Sequence, residues 1–278
     1  MMTTTQTHTL EYVLDSLPTL RLNNHKGDLH IVHDAEPGVV RLRLHTHRPV
    51  DFSLVEATVD GSVVTVRVPP LSDPDGGPGF SVSFGSFSWS AGSSGVRVDI
   101  EVHLPAQAAL AVDTGAGDIT ISGVSGSVAA KSGAGDISVE EASSVTLHSG
   151  AGDASTGRIG GGSLRTGTGD VRIQHCTQDT EVNSGSGDVT VLDSATALRI
   201  TTGAGDVNAM ISGGRIDVRS GMGDVNIQVP SGVAVWQDLT TGVGEVRTRV
   251  QPYGEPEPGE PFVSVTARTG AGDVTLTQ

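Results

Sequence analysis

One short phrase repeats along this chain and limits what it can become. Thr-Gly-Ala-Gly-Asp at residues 114–118 returns as Ser/Thr-Gly-x-Gly-acid, with the acid at Asp118, Asp136, Asp153, Asp170, Asp188, Asp206, Asp224, Glu245 and Asp273. Successive intervals are 18, 17, 17, 18, 18, 18, 21 and 28 residues, so two late insertions stretch an otherwise regular period. A degenerate earlier copy reads Asn24-His25-Lys26-Gly27-Asp28-Leu29-His30-Ile31. Self-similarity at such a period is the signature of a stacked repeat architecture.

Counted from each acid, positions +1 and +3 are apolar, as at Ile119/Ile121, Val171/Ile173 and Val225/Ile227. Positions −6 and −8 behave alike, as at Val112/Leu110 and Ile200/Leu198. Alternation of this kind marks strands with one buried face, and the three-and-four spacing of a helix is missing. From −6 to +1 is seven residues, an odd step that would put these side chains on opposite faces of a straight strand. The chain therefore bends at the two glycines, which permit positive φ. Stacked in register at about 4.8 Å per coil, such units make a parallel β-solenoid of about 18 residues per coil. The crossover rule for parallel strands favours right-handed winding. Position −4 is a hydroxyl residue in each copy, from Thr114 and Ser132 to Thr241 and Thr269. It shares the parity of the buried positions, so it is expected to point inward and bond to turn backbone groups.

Residues 1–105 are less regular and Val-rich, and suit either a β-sandwich or degenerate coils that cap the rod's first edge. Residues 106–278 are the solenoid proper, interrupted by a Pro/Glu-rich loop at 251–261. Within the Pro/Gly/Ser-rich insertion 69–95 lie Phe80, Phe84, Phe87 and Trp89, four of the chain's nine aromatics. A hairpin packing its rings on the rod explains them; so does a partner-binding patch. The chain ends five residues past Asp273, so the last coil is expected to leave an open edge that invites end-to-end self-association.

Composition excludes several roles. A formal charge of −15 disfavours nucleic acid and anionic membranes as partners. A lone cysteine, Cys176, rules out a disulfide framework. No apolar run approaches the roughly 18 residues of a membrane span, so direct membrane insertion is not expected. No basic-then-apolar leader is visible, which points to a cytoplasmic protein.

The stacked acids are the most suggestive constellation. Carboxylates about 4.8 Å apart repel by roughly 1 kcal/mol in water, so something must offset the column. Hydrogen bonds from turn backbone would do so. Calcium between coils is the functional alternative, with Asp118, Asp136, Asp153, Asp170, Asp188, Asp206 and Asp224 as the ladder. Against it, calcium takes six to eight oxygens, and each repeat supplies one motif acid. No other cofactor is implied. Glycoside hydrolysis needs two carboxylates in unlike environments, whereas these acids occupy equivalent corners, and Glu140-Glu141 reads as a solvated pair. The −4 serines lack a recurring His to act as base. His25, His30, His33, His45 and His47 fit surface positions better than a metal site. Cys176, beside His175, reads as a small, partly buried residue. No catalytic residue is assigned, and the chain is read as a non-enzyme.

Tandem [ST]-Gly-x-Gly-Asp-[IV]-x-[IV], preceded by a Val-rich half ending Val102-His103-Leu104-Pro105, resembles the bacterial putative-adhesin, β-strand-repeat family of unknown function. The likeness runs from about Leu10 to Leu276. It implies a prokaryotic β-solenoid that is adhesin-like, with some relatives tied to cell-envelope stress, and it implies no activity. The expected function is a non-enzymatic scaffold for binding a protein or glycan, with envelope association through a partner. A cytoplasmic self-assembling scaffold and a calcium-dependent adhesin are the alternatives.

Overall fold

The protein is described by a computed structural model covering residues 6–71, 80–84, 87–91, 95–250 and 262–278, with backbone only at 80–84 and 87–91. It is all β, apart from one 3-10 turn at Phe52–Leu54. Twenty-three strands join into one hydrogen-bonded assembly, and Phe80–Phe84 with Phe87–Ala91 forms a separate pair. No helix among the described residues is long and apolar enough to cross a membrane.

Each repeat folds as a rung with two arms, and the arms stack into two facing walls. In the first wall the −8 to −4 arms pair in parallel, for example Leu164↔Val182 and Val182↔Ile200. In the second wall the +1 to +3 arms do the same, for example Val171↔Val189 and Ile173↔Val191. The predicted inward residues are inside: Val171, Ile173, Val182, Val189 and Ile200 are at most 1 % exposed. Each such side chain contributes about 1.5–3 kcal/mol by leaving water. The core is a thin aliphatic layer, which is why so few aromatics suffice. The parallel β-solenoid read from the repeat is the fold.

Residues before 105 also contribute rungs. Thr19–Asn24 and Leu29–Val32 lie directly beneath Ala109–Thr114 and the start of Ile119–Ala134. Outside them sit Val63–Val68 in the first wall and Asp99–His103 in the second. Antiparallel strands then cover that end: Glu56–Asp60 on Val63–Val68, Val39–Thr46 on Asp99–His103, and Gln6–Val13 on Val39–Thr46.

The other end departs from the expected order. The C-terminal rung, Phe262–Ala271 with Val274–Thr277, does not form the open edge. It lies between Gly214–Met222 with Val225–Gln228 on one side and Ala234–Val243 with Val246–Arg249 on the other. The long intervals explain this. Three extra residues before Glu245 let the chain climb two levels instead of one, since each residue spans about 3.3 Å and each level about 4.8 Å. The 28-residue interval then returns the chain to the vacant level.

Candidate binding surfaces along the rod

The corner built by Gly-x-Gly-acid forms one edge of the rod. Its second glycine has φ of +141° at Gly152 and +138° at Gly169, a region L side chains rarely enter. A Cβ on Gly152 would also sit 2.3 Å from the carbonyl oxygen of Gly135 on the preceding rung. The small corner brings successive backbones close enough for each acid to reach across. Asp118 Oδ1 accepts the backbone N–H of Asp136 at 2.9 Å, Asp136 that of Asp153 at 2.8 Å, and Asp153 that of Asp170 at 2.8 Å. The chain of bonds runs in spatial order through Asp99, Asp28, Asp118, Asp136, Asp153, Asp170, Asp188, Asp206, Asp224, Asp273 and Glu245. The buried hydroxyls at −4 support the same corner. Ser132, Ser149 and Thr166 each donate to the second-glycine carbonyl of the rung before, at 3.0 Å. In the degenerate copy Asn24 substitutes, donating to the Val98 carbonyl at 2.9 Å. Ser184 Oγ is buried without a partner.

Along this edge runs a trough of about 540 Å³, lined by acids from Asp118 to Asp188. Arginines cap the ladder's ends. Arg97 pairs with Asp99 at 2.9 Å and with Asp28; Arg247 pairs with Asp273 at 2.8 Å and Glu245 at 2.6 Å. Hydrogen bonding to Glu245, then the charge of Asp273, raises the pKa of Arg247. The seven acids from Asp118 to Asp224 form no ion pair among the described residues. With Oδ1 engaged, each rung offers one carboxylate oxygen outward, a thin donor set beside the six to eight oxygens calcium takes. No group of three or more His, Cys, Asp or Glu among the described residues is placed to hold a metal.

The walls present regular outer columns. On the second wall, Thr190, Asn208, Asn226 and Thr275 stack rung on rung, and Asn226 Nδ2 donates to Asn208 Oδ1 at 3.1 Å. Exposed Leu192 and Met210 flank them, and a hollow of about 310 Å³ lies over this patch. On the first wall, Arg21, Arg67 and Lys131 rim a hollow of about 530 Å³ floored by Ala111 and Ala129.

The model of the Toastrack DUF4097 family matches residues 81–277, well over half of the chain. This chain belongs to that family. Among solved structures it is similar to a "putative adhesin" from Bacteroides fragilis, at 11 % identity and TM-score 0.48, covering 98 % of this chain and 97 % of that one. It is similar to a "putative lipid binding protein" from Parabacteroides distasonis, at 12 % identity and TM-score 0.44, covering 98 % and 97 %. A "putative adhesin" from the same organism has 11 % identity and TM-score 0.35, covering 97 % of each chain. No curated protein matches the chain.

The Toastrack rod scatters most of the residues that looked reactive. The −4 hydroxyls are structural, as the parity argument requires. Glu140 Oε2 accepts the backbone N–H of Gly123 at 2.7 Å, while Glu141 is in register with Arg158. Cys176 is fully rather than partly buried, and its neighbour His175 bonds Asp193 through Nδ1 at 2.8 Å. His25, His30 and His47 make no metal-like group, and His45 bonds Thr7 at 3.1 Å. The strands Phe80–Phe84 and Phe87–Ala91 pair antiparallel, with Phe84↔Phe87 and Val82↔Trp89 in register. The side chains of Phe80, Phe84, Phe87 and Trp89 lie outside the described residues.

Two polar clusters escaped the sequence reading because their partners are far apart in the chain. His33 Nδ1 lies 2.8 Å from the Pro105 carbonyl, which can only accept, so Nε2 accepts from Ser125 Oγ at 2.9 Å. Burial lowers the pKa of His33, and the Pro105 bond and the charge of Asp34 offset part of that. Ser125 is buried at 2 % exposure, so the Ser–His pair offers no reachable nucleophile. His103 bonds Asp34 at 2.7 Å and faces Glu101, which also meets Arg43 at 3.3 Å. Burial works against Glu101, but Arg43 and His103 outweigh it and its pKa is lowered.

Proposed function

We propose that this Toastrack chain is a non-enzymatic, adhesin-like binding rod. Its second wall receives an extended partner, protein or glycan, and any tie to the cell envelope comes through that partner. The observation that supports this is how the polar groups are divided. Acids and hydroxyls at the corner hold the rod together, while the repeated Thr and Asn columns on the second wall leave donors and acceptors facing out at a fixed spacing. Leu192 and Met210 beside Asn208 and Asn226 supply apolar contact next to amides, a mixture suited to a ligand lying along the rod. No cofactor and no reaction enters this reading.

The test is binding to arrays of bacterial envelope glycans and peptides. Three proteins are compared: wild type, Asn208→Arg with Asn226→Arg, and Phe84→Ser with Trp89→Ser. Loss of binding in the wall variant alone supports the second wall. Loss in the aromatic variant alone moves the site to the insertion, and binding that survives both overturns the proposal.

A further inference from the structure

The ends of the rod are unlike. At the N-terminal end, antiparallel strands cover both walls of the outermost rung. At the opposite end, Ala234–Val243 and Val246–Arg249 are paired on one side only among the described residues. Inward positions there lack a rung above them. Val246 is 44 % exposed at the position where Val225 and Val274 are fully buried. Trp236 and Val243 of the same outermost rung are exposed as well. The acid of the outermost rung is Glu245, which holds no further rung and turns to Arg247 instead.

We propose that this end meets the same end of a second copy, making a closed, two-fold dimer. A two-fold axis across the end reverses strand direction, so each edge strand gains an antiparallel neighbour. The fold already uses that device at its other end. Head-to-tail growth would have to join the two level edges of the open rung to Glu56–Asp60 and Gln6–Val13, whose outer edges are staggered because one wall carries a single covering strand and the other carries two; joining the two open ends matches level edges and stops at two. Charge permits the contact, since Asp238 and Glu245 are balanced within the copy by Arg268 and Arg247. The area suits a weak, reversible contact. The ten-residue strand is about 33 Å long and the four-residue strand about 13 Å, each wall being about 10 Å thick with its outer side chains, so each copy covers about 460 Å². About 900 Å² in total is the size of weak, transient interfaces.

Sedimentation of the full chain from about 1 to about 100 μM, where an interface of this size populates both states, should show monomer and dimer and nothing larger. Val246→Lys is expected to weaken dimerisation about tenfold or more by setting like charges into the contact. Thr240→Cys on the outermost strand should be captured as a dimer by a short bis-maleimide linker, and Thr58→Cys on the covering strand should not. A monomer at all concentrations, whether the end is covered by its own chain or by another molecule, overturns the proposal. So does growth into filaments, or equal capture through Thr58→Cys.

Discussion

Asp153 Oδ1 accepts the backbone N–H of Asp170 at 2.8 Å, so a side chain of one rung fixes the corner of the next. The bond needs an acceptor, and an amide oxygen accepts as a carboxylate oxygen does. Asp153→Asn keeps an acceptor and is expected to shift the urea midpoint little. Asp153→Ala removes it and should cost about 1 kcal/mol. Equal loss in both variants would show that the charge itself matters.

Stacked carboxylates repel their neighbours, and among the described residues the seven from Asp118 to Asp224 form no ion pair, although Arg172 lines the same trough. Salt screens exposed charges, with a Debye length of about 10 Å at 0.1 M. Raising sodium chloride should therefore raise Tm, and calcium at matched ionic strength should add nothing further. A calcium-specific rise in Tm, or heat on titration, would assign the ladder as a metal site.

Glycine is required at the corner for two separate reasons. Gly152→Ala meets both positive φ and the Gly135 carbonyl at 2.3 Å, and should cost several kcal/mol or leave the protein unfolded. Gly61→Ala has φ of +58° with no atom in the way, so it should cost only about 1 kcal/mol. Circular dichroism melts of the two variants distinguish the effects.

His33 links the Pro105 carbonyl to Ser125, and its burial lowers its pKa below the ordinary value of 6.5. Above that pH both folded and unfolded chains hold it neutral. As pH falls through it, the unfolded chain takes up the proton more readily, so this contribution to stability is lost toward acid. His33→Gln should flatten the Tm profile below about pH 6.5 relative to wild type. Parallel profiles would assign the acid sensitivity to other groups.

The rung was legible because its causes are local. Alternation at Val171 and Ile173 names a buried strand face, the odd step across Gly-x-Gly demands a corner, and the parity of Ser149 sends its hydroxyl inside. These depend only on covalent geometry and on which side chains leave water. The acceptor chosen by that hydroxyl, Gly135 on the neighbouring rung rather than its own turn, required the stack itself. His33 and Ser125 are 92 residues apart, and no local pattern links them.

Rung order at the ends belonged to the tertiary structure alone. Near-identical rungs fit one another in many sequences of stacking, because each offers the same apolar face and the same backbone ladder. Loop length and the edges left unpaired decide among them, and both act over the whole chain. One trace of that decision was written in the residues: Glu245 replaces aspartate on the rung whose acid has no successor to hold.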